Sequence, residues 1–211
     1  MISLEARKLS FGYQSGPQIL ENWSESFHEG ELVSIVGKSG QGKSTVLYIL
    51  GLMLRPQSGH VIIQGDPAGK NDSARARLRA TKFGFVFQDA SLDASRSVID
   101  NVLEGALYRG DDMSMARATA TKLLKQLEVD VDPDRKPGQV SGGQAQRIAL
   151  SRALLGNPPI ILADEPTGNL DAQSAEAVLS SFQERADMGA TVIVVTHDLS
   201  IVERCDRSIR L

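Results

Sequence analysis

The stretch Gly37-Lys38-Ser39-Gly40-Gln41-Gly42-Lys43-Ser44-Thr45 constrains this chain more than any other. The apolar run Leu32–Val36 precedes it, and a helical pattern from Ser44 to Leu54 follows, so the spacing predicts strand, tight loop and helix in that order. Glycines let successive backbone N–H groups turn inward around a phosphate chain, and the start of the helix adds a favourable dipole. In such a loop Lys43 reaches the β- and γ-phosphates as a point charge, and Ser44 places its hydroxyl on Mg²⁺. Alone the pattern means a nucleotide, and it would suit a small-molecule kinase or a GTPase equally well. The chain has no N-K-x-D guanine-reading element, which argues against the GTPase.

Around this loop strands alternate with helices. Ser3–Leu9, Glu25–Phe27, Leu32–Val36, Gly59–Gln64 and Phe83–Phe87 read as strands, and so do Ile160–Ala163 and Thr191–Val195, with a helix over Ala172–Ala186 between the last two. Ile99, Val102, Leu103, Ala106 and Leu107 recur at helical spacing, as do Ala116, Ala120, Leu123, Leu124 and Leu127. The pattern predicts a parallel sheet covered on both sides, a small N-terminal β region, and a mostly helical insert from about Asp89 to Asn157.

Ile160-Ile161-Leu162-Ala163-Asp164-Glu165 is an apolar strand ending in carboxylates. In an open parallel sheet, ligands collect at the carboxyl ends of strands. Asp164 is placed to hold hydrated Mg²⁺, and Glu165 to polarise an attacking water. Thr191–Val195 repeats the pattern and puts His197 just beyond its end, within reach of a γ-phosphate; His28 and His60 belong to no such motif.

A second anion-binding helix start follows in Ser141-Gly142-Gly143-Gln144, with Ser141 as N-cap and glycines that let amides approach an anion. It falls in the helical insert, away from the sheet that carries the phosphate loop. One nucleotide is not easily embraced by both ends within one chain, so the economical arrangement is two chains head to tail, each completing the other's site.

These motifs together resemble the ABC ATPase superfamily over nearly the whole chain. Val140-Ser141-Gly142-Gly143-Gln144 resembles its signature motif, with Val140 in place of the commoner Leu. Gln88 is similar to the Q-loop glutamine, Gly168-Asn169-Leu170-Asp171 to the D-loop, His197 to the switch histidine, and Tyr13 to the aromatic that stacks on adenine. The resemblance implies a P-loop NTPase (RecA-like) α/β core with an N-terminal antiparallel β subdomain and an inserted helical subdomain. It divides the single domain 1–211 into a core at about 1–88 and 158–211 and a helical part at about 89–157. It implies that Ser141 and Gly143 contact the γ-phosphate in trans, that Gln144 belongs to the same ATP-binding turn, that Asp171 bridges to the partner's phosphate loop, and that Gln88 senses Mg²⁺.

The run Asp164-Glu165-Pro166-Thr167-Gly168-Asn169-Leu170-Asp171 resembles the branch of lipoprotein-releasing, macrolide-export, antimicrobial-peptide-resistance and cell-division ATPases, which pair with separate membrane subunits. In that branch the segment after the Q-loop is apolar with a Leu-Pro pair; here Leu92–Val98 carries Asp93 and Arg96. The expectation is an ATPase, homodimeric with ATP, acting on an integral-membrane permease-type subunit. The alternative is a soluble ABC ATPase working on nucleic acid or ribosomes. Its usual marks are long coiled-coil insertions, zinc cysteines or fused cassettes, and none is present. A formal charge of -3 also argues against nucleic acid as a partner. A lone cysteine, Cys205, excludes a disulfide framework, and no apolar run approaches the ~18–20 residues of a membrane span. The N-terminus lacks the pattern of a secretory signal, and no appended regulatory domain is expected after Leu211. The expected place is therefore the cytoplasm, peripheral on the inner face of the cell membrane.

Overall fold

The computed structural model describes every residue except Ser15, Lys70 and Asn169. Two sheets form. The antiparallel one comprises β1 (Ile2–Gly12), β2 (Gln18–His28), β4 (Ser58–Ile63) and β5 (Asp66–Pro67) in the order β2-β1-β4-β5. The other comprises β3 (Leu32–Val36), β6 (Phe83–Val86), β7 (Ile160–Asp164), β8 (Thr191–Val195) and β9 (Arg207–Arg210), all parallel, in the order β6-β7-β8-β3-β9.

Alternation along the parallel strands builds two cores. Leu32, Ile161, Ala163, Val192 and Val194 face one side, where they meet α3 (Val98–Arg109), α4 (Met113–Gln126), α5 (Gly142–Leu154) and α6 (Ala172–Asp187). Val33, Ile35, Leu162, Ile193 and Val195 face the other, packing on α1 (Lys43–Leu50) and the inner face of the antiparallel sheet through Leu4, Leu9, Phe27 and Val61. The central strands β3, β7 and β8 are thus covered on both faces, as their continuous apolar runs require. Thr191 Oγ1 donates to the His28 carbonyl (2.8 Å), and Arg207 pairs with Glu31 (2.7 Å) and Glu25 (3.1 Å), pinning one sheet to the other.

Several predicted bounds shift. The helix after the phosphate loop ends at Leu50 rather than Leu54, because Leu52 turns left-handed (φ 61°) and the Met53 and Leu54 amides return to the Tyr48 carbonyl. Gly51 sits where a Cβ would lie 2.4 Å from the Phe85 ring, so the chain must turn there without a side chain. β2 begins at Gln18, well before Glu25, and β6 is an edge strand whose Phe85 is only half-buried. Four elements lack an apolar period and were not expected: β5, α2 (Asp72–Lys82), α7 (Leu199–Val202) and β9.

Candidate active site

The loop between β3 and α1 owes its shape to local chemistry. Gly40 (φ 81°) and Gly42 (φ 89°) are left-handed, and a Cβ on Gly42 would collide with Ile19. α1 starts at Lys43 with no side-chain cap, whereas every other α-helix is capped by its own Asn, Ser or Asp. Its first amides are therefore left for an external acceptor. Lys43 Nζ folds back over the loop onto the carbonyls of Gly37 (3.0 Å) and Lys38 (3.2 Å).

Beside the loop lies a cavity of about 870 Å³. Tyr13, Gly37, Lys38, Ser39, Gly40, Gly42, Lys43, Ser44, Thr45, Gln88, Glu165 and His197 all line it, from five separate stretches of chain. Tyr13 is 53% exposed at its mouth, with its hydroxyl 3.3 Å from Thr45 Oγ1 and its ring edge-on to Phe11. At the end of β7, Glu165 takes a left-handed backbone (φ 44°), held by its amide on the Val195 carbonyl (2.9 Å). That turn presents the carboxylate to His197 Nδ1 (2.8 Å) and the Thr196 hydroxyl (3.3 Å).

Asp164 stands beneath the cavity rather than on its wall. It is 3% exposed, accepting from Ser44 Oγ (3.0 Å) and from the Tyr48 hydroxyl (3.1 Å). Burial pushes its carboxyl above the usual carboxylate range, against the pull of those two hydroxyls, and the nearby Glu165 charge adds to the rise. Burial and the adjacent Asp164 charge push Tyr48 up to about 12, so it stays a donor.

Other expected site residues lie elsewhere. Gln41 belongs to the loop, but its side chain turns back to accept from the Lys38 amide and leaves the cavity wall. Ser141, Gly142, Gly143 and Gln144 open α5 outside the cavity, with Ser141 and Gly142 exposed. Ser141 Oγ accepts from the Gln144 amide (3.2 Å) while Gln144 Oε1 accepts from the Ser141 amide (2.9 Å). Asp171 caps α6, accepting from the Ser174 amide and hydroxyl (both 2.9 Å), and its carboxyl is held below the usual range by those bonds. Asn169, the remaining polar D-loop residue, lies outside the described residues.

Sequence reasoning missed Ile19, Thr196 and Tyr48. Tyr48 was findable, because it lies one helical turn beyond Ser44 and so shares its face. Ile19 carried no local signal, since a distant turn brings it to Gly42.

The profile of the ABC transporter family matches residues 20–168. This chain belongs to that family. It is an ABC-type ATP-binding subunit and an ATPase. It is 45% identical over 184 residues to an uncharacterized ABC transporter ATP-binding protein, YbbA, of Escherichia coli (strain K12), covering 86% of this chain and 81% of that one. It is 38% identical over 215 residues to the lipoprotein-releasing system ATP-binding protein LolD of Shewanella oneidensis, covering 100% and 94%. The macrolide export ATP-binding/permease protein MacB of Shewanella sp. (strain ANA-3) is 40% identical over 212 residues, which are 99% of this chain but only 32% of that protein. These relatives belong to the lipoprotein-release and macrolide-export branch that the Asp164–Asp171 run predicted. Among solved structures, a dimeric ATP-binding cassette in a post-hydrolysis state with ADP and phosphate superposes with TM-score 0.92 at 35% identity, over 99% of this chain and 94% of that one.

Proposed function

We propose that this ATPase works as a head-to-tail pair around two Mg-ATP and drives a separate integral-membrane subunit by mechanical movement. What supports pairing most is the division of the phosphate-binding parts: one uncapped helix start lines the cavity, while the glycine-rich start of α5 faces solvent outside it. A second copy supplies that missing wall. Its Ser141 and Gly143 meet the γ-phosphate, Gln144 orders their turn, and Asp171 approaches the facing phosphate loop. Residues 89–157 act as the lobe that carries Ser141, Gly143 and Gln144.

Within one copy, Tyr13 offers its ring to the adenine, and Lys43 with the amides of Gly40 and of Gly42 to Thr45 holds the phosphates. Ser44 and Asp164 have oxygens 3.0 Å apart, a hydroxyl–carboxylate pair of the hard donor type that Mg²⁺ takes, and the Gln88 amide stands on the same cavity. Bound there, Mg²⁺ supplies charge neutralisation to the phosphates. Glu165 accepts the proton of the attacking water, and His197 orients that carboxylate while reaching the γ-phosphate. A general base of this kind contributes about 10²–10⁴-fold.

A membrane partner has a place to dock. A groove of about 830 Å³ runs between α2, β6, α3 and α5, floored by Phe83, Phe85 and Phe87 and walled by Tyr108. Arg77 and Arg79 line it together with Arg109, which pairs with Asp111 (2.7 Å), and Arg152, which donates to two backbone carbonyls; its one carboxylate, Glu104, already pairs with Arg96 (3.4 Å). Such a surface fits an amphipathic helix that carries acidic residues. No helix among the described residues is long and apolar enough to cross a membrane, and one relative's name joins ATP-binding to permease. The subunit would therefore sit on the cytoplasmic face.

The test is purification of the tagged chain from its native membranes. Wild type should bring down an integral-membrane protein, and Arg77→Glu should lose it about tenfold while still binding ATP, as expected when a like charge faces the partner. Equal recovery by both chains, or recovery of a soluble nucleoprotein instead, would contradict the docking.

A further inference from the structure

The segment after β6 has an unusual backbone. Ala90 (φ 56°) and Ser91 (φ 47°) are consecutive non-glycine residues in the left-handed region, where Cβ crowds the following carbonyl, and Ala90 is buried. Such a conformation persists only where its surroundings over-determine it.

The surroundings here come from α5. Arg152 Nη1 donates to the Ser91 carbonyl and Nη2 to the Ala90 carbonyl, both at 2.8 Å. One turn and a half earlier on the same helix, buried Gln146 donates from Nε2 to the Phe87 carbonyl (3.0 Å). A guanidinium is a rigid planar fork, so two bonds from it fix the relative orientation of two carbonyls in a way an ammonium does not. Among the described residues no carboxylate lies within ion-pair range of Arg152. Its desolvated charge is spent on peptide oxygens, with Glu104 contributing only at longer range.

Gln88 is therefore suspended between two points, Phe87 and Ala90, that are both tied to α5. It lines the nucleotide cavity, whereas Phe87, Ser91 and Arg152 line the groove. We propose that Arg152 is a positioning residue for Gln88. By holding the carbonyls of Ala90 and Ser91 it fixes where that glutamine stands in the cavity, and it links the helix that begins at Ser141 to the nucleotide site within one chain. The inference rests on the cavity being the ATP site, and not on the identity of the membrane partner.

The experiment is a double-mutant cycle on the purified full chain, read as steady-state ATP turnover. Arg152→Ala should lower kcat about tenfold with KM for ATP within about twofold, because the phosphate loop is untouched. In a Gln88→Ala background the same change should cost little more, since residues acting as a unit are not additive. Arg152→Lys, which keeps charge and bulk but not the fork, should recover only part of the loss. Full additivity of the two losses, or full recovery by lysine, would overturn the assignment. Independently of activity, amide hydrogen exchange at 88–91 should quicken about tenfold in Arg152→Lys while α1 amides stay unchanged. Unchanged exchange at 88–91 would equally overturn it. A wild-type chain that fails to turn over ATP would defeat the cavity's reading instead, and the exchange measurement would still decide the tether.

Discussion

At Glu165 the chain accepts a left-handed backbone, at a cost of about 1–3 kcal/mol, to bring one carboxylate to His197 and Thr196. Next to it, Asp164 is buried with its pKa raised, so it too is held in an unfavourable setting. The sign follows from linkage. A carboxyl whose folded pKa exceeds its unfolded value binds its proton more tightly when folded, so its contribution to stability falls as pH rises from the unfolded pKa through the folded one. Asp164 therefore contributes less stability at neutral pH than in acid. Asp164→Asn should raise the nucleotide-free Tm, because it removes the buried charge. It should also abolish the further rise that Mg-ATP gives the wild type. Differential scanning calorimetry at pH 7 with and without Mg-ATP checks both, and a lower Tm without ligand would refute the cost assigned to the carboxylate. At this scale the sequence was legible where a motif coincided with a strand end. Lys43, Ser44, Glu165, Gln88 and His197 all reach the cavity. Gln41 stays off the cavity wall because the motif leaves its position free, and its side-chain oxygen accepts from the Lys38 amide in the loop's own backbone.

Elements were legible when their burial was two-sided. β3, β7 and β8 are covered on both faces, so they read as unbroken apolar runs. α2 is buried only at Arg75, with Leu78 partly so, and its signals are caps instead: Asn71 accepts from the Ala74 amide (2.7 Å), and Arg79 and Lys82 sit in the last turn. β9 buries only Ile209 and exposes charge on a sheet edge, which guards against edge pairing but hides the strand from pattern reading. Close approaches between elements were also invisible. A Cβ on Gly84 would lie 2.2 Å from the Ala153 carbonyl, so β6 and α5 touch through a glycine. Gly84→Ala must push α5 away from the sheet, at about 1–3 kcal/mol for an overpacked contact. Urea denaturation should show a lower midpoint with an unchanged m-value, and an unaltered midpoint would mean that α5 does not bear on β6.

Across the whole molecule, one sheet separates two cores, one shared with α1 and the antiparallel sheet and the other with α3 to α6. The phosphate loop belongs to the first, while the helix that begins at Ser141 belongs to the second. The sequence disclosed that separation because both anion-binding turns carry glycine at recognisable places; the groove, where α5 returns against the successive elements α2, β6 and α3, it could not disclose. The separation is also why one chain offers only part of a nucleotide's surroundings. Closure of two copies around ATP is the central claim, and the mass of Glu165→Gln in solution tests it most directly, because this variant should bind ATP and hydrolyse it slowly. Light scattering without nucleotide should give the 22.7 kDa monomer. With Mg-ATP the mass should double, and adding Ser141→Arg to the same chain should keep it monomeric while nucleotide binding persists. An unchanged mass in Glu165→Gln with Mg-ATP, or undiminished doubling when Ser141 is replaced, would contradict the account.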